Sequence, residues 1–454
     1  MRGDCMSLDD VVSEVRARQA VWENEISQMR GKKFSTICVH GAYTKHEAIA
    51  NNQGAIIEPV YTSTSQAFRD ADCLEAALAY KVPAWAYSRI ANPTIGYLEL
   101  MLSMLEGYGT QHRASACCTS SGMAAIRAAA EPFISEEKPG RKNIVSMAQV
   151  YGGTFQLFSE RFAKERGVEV RWVENPSDLD EWKSKIDSGT RFVYGEMPSN
   201  PGIMLFDIAE VAKLAHAQGA PLITDSTLAT PALCRPLEHG SDIVVHSLTK
   251  TMTWSGRAVA GALISRENVH SGAICEEARR DFAGWVKLWP LRDSGACISP
   301  DNAARVLDCL RVLPSTVDLL SRNAMKVATF LEGHPNVERV HYPGLSSHPQ
   351  HEIAKKYMRL ADSGEGRFGH LLSFEVKGGH ASARRVLDRL KFIFNATDLG
   401  RIKSVAVIPT ISTHQQQGEE GRKKAHIPGN LVRLCVGAED ADDVIGELAS
   451  ALAD

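Results

Sequence analysis

The chain has 454 residues, 44% of them hydrophobic, with a formal net charge of -3, so it exceeds one ordinary domain and carries no global pull towards nucleic acid or membrane. Ten cysteines are scattered without a CxxC pair or a regular framework, which excludes a disulfide scaffold and a zinc module and leaves no metal-ligand pattern. Met1-Arg-Gly-Asp-Cys-Met lacks the apolar core of a signal peptide and no later run approaches a membrane span, so a cytoplasmic protein is expected.

In chain order, residues from Ser7 to about Arg30 carry Leu8, Val11, Val12, Val15, Val21, Trp22, Ile26 and Met29 at helical spacing, with Ser7 and Asp10 as a capping box. This predicts a docking helix against the protein's body or a neighbouring subunit. From 111 to 265, apolar runs at 143–147, 168–173, 191–194, 221–224, 242–245 and 259–264 alternate with helical stretches at 122–132, 153–166 and 208–218. Such alternation predicts an α/β fold with a mostly parallel sheet, right-handed crossovers and helices on both faces. After Pro300 a long helical stretch over 301–332 leads into strands near 337–341, 371–375, 406–408 and 432–436, with helices at 351–359, 381–390 and 440–452. That mixture predicts a smaller α+β C-terminal domain. The expected division is 1–33 as a helical extension, 34–75 as an arm, 76–299 as the large domain and 300–454 as the second.

The segment Ser241-Asp-Ile-Val-Val-His-Ser-Leu-Thr-Lys250 empties a buried strand into a lysine flanked by Ser247 and Thr249. The carboxyl edge of a parallel sheet is where α/β proteins bind ligands, and an amine held out of water attacks carbonyls. With the two hydroxyls suited to a phosphate, the position reads as a Schiff-base lysine, against the bland alternative of a snorkelling loop lysine. Asp225 closes the run 221–224 and suits a protonated ring nitrogen. Thr119-Ser-Ser-Gly-Met123 opens an alanine-rich helix whose first N–H groups suit an anion, where simple capping by Ser120 or Ser121 is the alternative. No dinucleotide or triphosphate motif occurs, so a single phosphate is expected. Tyr151-Gly-Gly-Thr-Phe155 sets an aromatic ring beside a glycine pair where a planar ligand could lie. Glu196-Met-Pro-Ser-Asn200-Pro201 offers Asn200 as a donor, and the prolines alone would also account for a rigid turn.

Together with Tyr87-Ser-Arg89-Ile-Ala-Asn92-Pro93-Thr94, Gly295-Ala-Cys-Ile-Ser-Pro300, His341-Tyr-Pro-Gly344 and Leu431-Val-Arg433-Leu-Cys-Val-Gly437, these segments resemble the Cys/Met-metabolism (trans-sulfuration) family of pyridoxal phosphate enzymes from about Phe34 to the end. The resemblance implies the aspartate aminotransferase-like fold (fold type I) and pyridoxal 5′-phosphate as cofactor. It implies Lys250 as the Schiff-base lysine and proton shuttle, Asp225 at the pyridine nitrogen, Tyr151 stacked on the ring and active in acid/base steps, and Asn200 on the ring-hydroxyl side. Ser121, Gly122, Met123, Ser247 and Thr249 would bind the phosphate from one subunit, and Tyr87 and Arg89 would reach it from the neighbouring one. Arg433 would grip the substrate α-carboxylate in a bidentate fork. Glu196 would support the ring-facing loop. A homodimer at least, and in this family usually a homotetramer, follows from the shared site.

The chain also departs from the family's pattern. Lysine is typically followed there by Tyr, an apolar residue and Gly-Gly-His, but here by Thr251-Met-Thr-Trp254-Ser-Gly-Arg257. The family's Ser-Leu-Gly-Gly segment is Asp398-Leu-Gly-Arg401, and Thr397 stands where cystathionine-handling members often carry glutamate. Asp398 either meets substrate or forms a structural ion pair with Arg257, Arg401 or Lys403. Trp85, Trp254, Trp285 and Trp289 are candidates for an aromatic wall. The expectation is γ-replacement on a Cγ-substituted L-amino acid through a vinylglycine-type intermediate, with a bulky or sulfonium substrate and a non-sulfur nucleophile. The alternatives are β- or γ-elimination, as in methionine γ-lyase or cystathionine lyases, and ordinary O-acylhomoserine sulfhydrylation. Joint retention of Lys250, Asp225 and Arg433 argues against a non-catalytic scaffold.

Overall fold

The computed structural model describes residues 8–135 and 142–453. Seven strands form the main sheet: β1 Ala114–Thr119, β2 Asn143–Met147, β3 Glu169–Val173, β4 Thr190–Glu196, β5 Leu222–Asp225, β6 Ile243–His246 and β7 Gly261–Arg266, in the order β1-β7-β6-β5-β4-β2-β3. Strands β2 to β6 pair in parallel, and β7 runs antiparallel between β6 and β1. Val193, Leu222, Ile223, Val244 and Leu263 have no measurable exposure, as expected of strands covered on both faces, whose sequences read as unbroken apolar runs.

The second sheet is built from β8 Val337–His341, β9 Leu371–Val376, β10 Phe394–Asn395, β11 Val405–Val407 and β12 Leu431–Cys435, in the order β10-β11-β12-β9-β8. It is antiparallel except at the β10/β11 edge. Helices Leu313–Glu332, Gly379–Arg389 and Ala441–Leu452 pack on it. The single helix expected over 301–332 is two, Pro300–Leu310 and Leu313–Glu332. Pro314 explains the break, because in a continuous helix it would lack the N–H and its ring would clash with the carbonyl of Leu310, whereas in the first turn of the second helix no donor is needed. The helix expected over 153–166 begins at Gly152 and widens into a π-type turn at Leu157–Lys164.

The N-terminal helix is present as Leu8–Arg30, whereas the cap assigned to Ser7 lies outside the described residues. The helix docks on its own chain. Val11, Val12 and Val15 meet Cys73, Ala76 and Val82, while Trp22, Ile26 and Met29 join the main core. Among the described residues no helix is long and apolar enough to cross a membrane.

Candidate active site

The parallel register aligns the carboxyl ends of three neighbouring strands. Glu196 on β4 is opposite Asp225 on β5, and Asp225 is opposite Val245 on β6, five residues before Lys250. They open onto a cavity of about 560 Å³ whose lining includes Ser121, Gly122, Met123, Tyr151, Glu196, Asn200, Asp225, Ser247, Thr249, Lys250, Asp398 and Arg433. Residues separated by more than 300 positions in the chain therefore meet in one pocket, of a size suited to a cofactor and a small substrate.

Asp225 is fixed by the Thr227 N–H at 2.9 Å and the Tyr194 hydroxyl at 3.3 Å. Burial pushes its carboxyl above the ordinary range despite these donors. Glu196 is raised further, first by burial and then by the charge of Asp225. It accepts the N–H of Tyr151 at 2.6 Å and of Asn200 at 3.2 Å, and so ties the Tyr151 loop to the Asn200 turn. Burial opposes ionisation of the two adjoining carboxyls, and a pyridinium nitrogen beside Asp225 would favour its anion.

The phosphate end depends on close backbone approach. A Cβ on Gly122 would stand 2.6 Å from Ser247 Cβ, and one on Gly261 would stand 2.1 Å from Ser121 O. Gly122 and Met123 open the helix Gly122–Ala130, so their N–H groups have no intrahelical acceptor, and Ser121 caps it through Ala124 N at 3.2 Å. Of the two flanking hydroxyls, Thr249 is committed, donating to Ala260 O at 3.0 Å and accepting from Ala260 N at 2.9 Å. Ser247 Oγ has no protein partner among the described residues, while Ser247 N donates to Thr227 Oγ1 at 2.8 Å. The donor set and the paired carboxyls fit pyridoxal phosphate.

Lys250 differs from the sequence expectation. Its side chain is 25% exposed and its Nζ is ion-paired to Asp398 Oδ1 at 2.9 Å. Burial opposes the Asp398 anion, but Arg401 and Lys250 hold its carboxyl below the ordinary range. Arg401 binds Asp398 Oδ2 and donates to the carbonyls of Thr253 at 2.9 Å and Thr249 at 2.5 Å. The cation beside Asp398 is therefore Arg401. Arg257 instead gives its carbonyl to Arg305, and Lys403 lies over the Phe394 ring.

Arg433, 1% exposed, donates to Asn200 Oδ1 at 3.0 Å, Thr397 O at 2.9 Å and Asp398 O at 3.1 Å. A guanidinium has five N–H groups, so two remain for a ligand. Burial lowers its pKa to about 10, and it stays a cation at neutral pH.

Within one chain, none of the four tryptophans lines the cavity. Trp85 covers Gly96, Trp289 lies under the Arg292 guanidinium and at a tilt to the Tyr80 ring, Trp254 turns its indole N–H to Cys309 O, and Trp285 packs on the main core. Neighbours in sequence have left on different faces. Tyr87 and Arg89 are also away from the cavity of their own chain, with Arg89 Nη1 on Arg292 O at 2.6 Å. The sequence reading missed Thr227, Ser412 and Thr413, which line the cavity. Gly152 carried a usable signal, since a Cβ there would meet Thr413 O at 2.2 Å.

Residues 35–453 match the Cys/Met metabolism PLP-dependent enzyme family. The chain belongs to this family. It is 35% identical to an O-succinylhomoserine sulfhydrylase of Pseudomonas aeruginosa over 94% of this chain and 97% of that protein. It is 34% identical to an L-methionine gamma-lyase of Fusobacterium nucleatum over 93% of this chain and 99% of that one. A Campylobacter jejuni crystal structure holding N′-pyridoxyl-lysine-5′-monophosphate superposes with a TM-score of 0.82 at 32% identity, covering 93% of this chain and 100% of that chain. The protein is thus a pyridoxal-phosphate-dependent lyase or transferase of the trans-sulfuration type with the fold expected of that family.

Proposed function

We propose that this enzyme replaces the γ-substituent of an L-amino acid, with Lys250 as its Schiff-base lysine and proton carrier. The observation that carries the reading is the convergence of Lys250, Asp225 and Arg433 on one cavity. When bound, pyridoxal phosphate supplies an electron sink for charge developing at Cα. The chain's residues do the rest. Asp225 keeps the ring nitrogen charged, and Gly122, Met123 and Ser247, with Ser121 and Thr249 behind them, hold the phosphate. Tyr151 covers the ring, Asn200 Nδ2 serves the ring-hydroxyl side, and the Arg433 guanidinium holds the α-carboxylate. Lys250 Nζ carries protons between Cα, Cβ and the leaving group. Tyr87 and Arg89 serve the phosphate of a neighbouring subunit, so the working unit is at least a dimer.

Asp398 bears on the substrate. Whenever Lys250 Nζ is engaged elsewhere, Asp398 Oδ1 loses its cation, while Oδ2 keeps Arg401 and the residue still lines the cavity. That supports a cationic γ-substituent, such as a sulfonium, over a neutral acyl ester. Elimination is the second reading, favoured by the similarity to methionine γ-lyases.

The test is turnover of the holoenzyme on homoserine esters, methionine, cystathionine and sulfonium amino acids, with and without added nucleophiles. Product that requires the nucleophile supports replacement, and 2-oxo acid with ammonia in its absence overturns it in favour of elimination. Lys250→Ala should lose both the visible cofactor band and turnover; an unchanged spectrum and rate would refute the lysine assignment. Asp398→Ser should shift preference towards acylated homoserine, and an unchanged preference removes Asp398 from substrate selection.

A further inference from the structure

At the amino end of β6, opposite the Lys250 end, two imidazoles converge on one buried carboxylate. His216 Nε2 lies 2.7 Å from Asp242 Oδ2, and His270 Nδ1 lies 2.8 Å from Asp242 Oδ1. The rings stack with centroids 3.7 Å apart at 19°. Asp242 has no side-chain exposure, whereas His216 is 21% and His270 43% exposed, so the cluster is closed behind and open in front. Three ligand atoms lie within 4.8 Å of one another.

We propose that His216, Asp242 and His270 form a divalent transition-metal site that takes Zn²⁺, completed by solvent and structural in role. The carboxylate is set independently of the rings, because Leu222 N donates to Oδ2 at 2.9 Å and His270 N to Oδ1 at 3.0 Å. Two neutral imidazoles and a carboxylate are borderline donors that suit zinc over magnesium or calcium.

At Zn–N and Zn–O lengths of about 2.1 Å, the present N···O separations subtend roughly 80–85° at the ion. Opening these angles to the tetrahedral value needs the His216 ring to retreat by about 0.7 Å and the His270 ring by about 0.6 Å, a movement open to partly exposed side chains. Each imidazole must also carry its proton on the other nitrogen, His216 Nδ1 and His270 Nε2. Neither of these has a protein partner among the described residues, so the tautomer change breaks no hydrogen bond there. The site ties helix Ile208–Ala217, the start of β6 and the segment after β7 together, and it touches no residue assigned to the chemistry.

The measurement is zinc content of the holoenzyme by mass spectrometry after dialysis against ZnCl₂, with affinity from competition against a chromophoric chelator. Wild type should hold about one more zinc per chain than His216→Asn/His270→Asn, which controls for zinc taken up by thiols or by the cofactor. His270→Gln, at an exposed position that leaves the fold intact, should weaken the site more than about 100-fold, beyond the loss typical of an outer-shell partner. Turnover should be the same with and without zinc. Equal zinc content in wild type and the double variant, or an unchanged affinity in His270→Gln, overturns the proposal.

Discussion

Gly122→Ala tests how the cofactor cradle is built. The added Cβ would lie 2.6 Å from Ser247 Cβ and 2.9 Å from Ser247 Cα, whereas non-bonded carbons rest near 3.5–4.0 Å, so helix Gly122–Ala130 and the 247–250 loop must separate by about 1 Å. Overpacking of this kind costs about 1–3 kcal/mol. The gap opens between the Gly122 and Met123 N–H groups on one side and Ser247 on the other, the groups assigned to the phosphate. Much of the cost should therefore appear as lost cofactor affinity, about 10- to 100-fold, or about 1.4–2.7 kcal/mol. The assay is titration of the apoenzyme with pyridoxal phosphate, followed by visible absorbance and paired with thermal melts. A dissociation constant within threefold of wild type together with a lowered Tm would make the contact packing alone and refute the phosphate assignment; an unchanged Tm would refute the clash itself.

Gly446→Ala is the matching control: Gly446 sits exposed inside helix Ala441–Leu452 with nothing within 4 Å of the new Cβ, so a calorimetric melt should show a gain of about 0.5–1 kcal/mol. Arg433→Lys offers one nitrogen where three hydrogen bonds are now made, and at about 1.5–3 kcal/mol per charged bond kcat/KM should fall at least about 100-fold in steady-state assays, with KM carrying much of the loss. Asp225→Asn should stabilise the apoenzyme above neutral pH. The folded-state pKa of Asp225 is raised above its ordinary 3.8, so its ionisation penalty is full above the raised value and vanishes as pH falls below 3.8. The Tm advantage of the variant should shrink steadily on acidification, while its cofactor affinity stays below wild type throughout.

Much of the large sheet could be read from sequence because a strand buried on both faces has little room for polar residues. The runs at 143–147 and 221–224 fall on β2 and β5 within a residue. Asp225 and Lys250 were visible for a related reason, as polar residues placed where such strands end. Features set by tertiary contact left no such trace. β10 is only Phe394–Asn395, exposed and paired by register with β11, and has no apolar run to announce it. His216, Asp242 and His270 span 54 residues without a ligand spacing, and only the β5/β6 pairing and the segment after β7 bring them together.

The segments that depart most from the family pattern, 251–257 and 398–401, turn out to be one structure. Asp398 exchanges a neutral side chain for a charge beside Lys250, and Arg401, three residues later, supplies the countercharge. Arg401 also spans the carbonyls of Thr249 and Thr253, holding the loop where the family's glycines are replaced by Thr253 and Trp254. Gly400 makes this approach possible, since its φ is +75° and a Cβ would stand 2.6 Å from Thr251 N. An aspartate alone would leave a half-buried anion to be neutralised by Lys250 only, and an arginine alone would leave a second cation beside that lysine. The two changes are favourable as a pair, so the altered lysine loop and the altered carboxylate-side loop belong to a single adjustment of the site. Its effect is a charged pair, Asp398 with Arg401, held at the lysine's side of the cavity where a serine would place a neutral group.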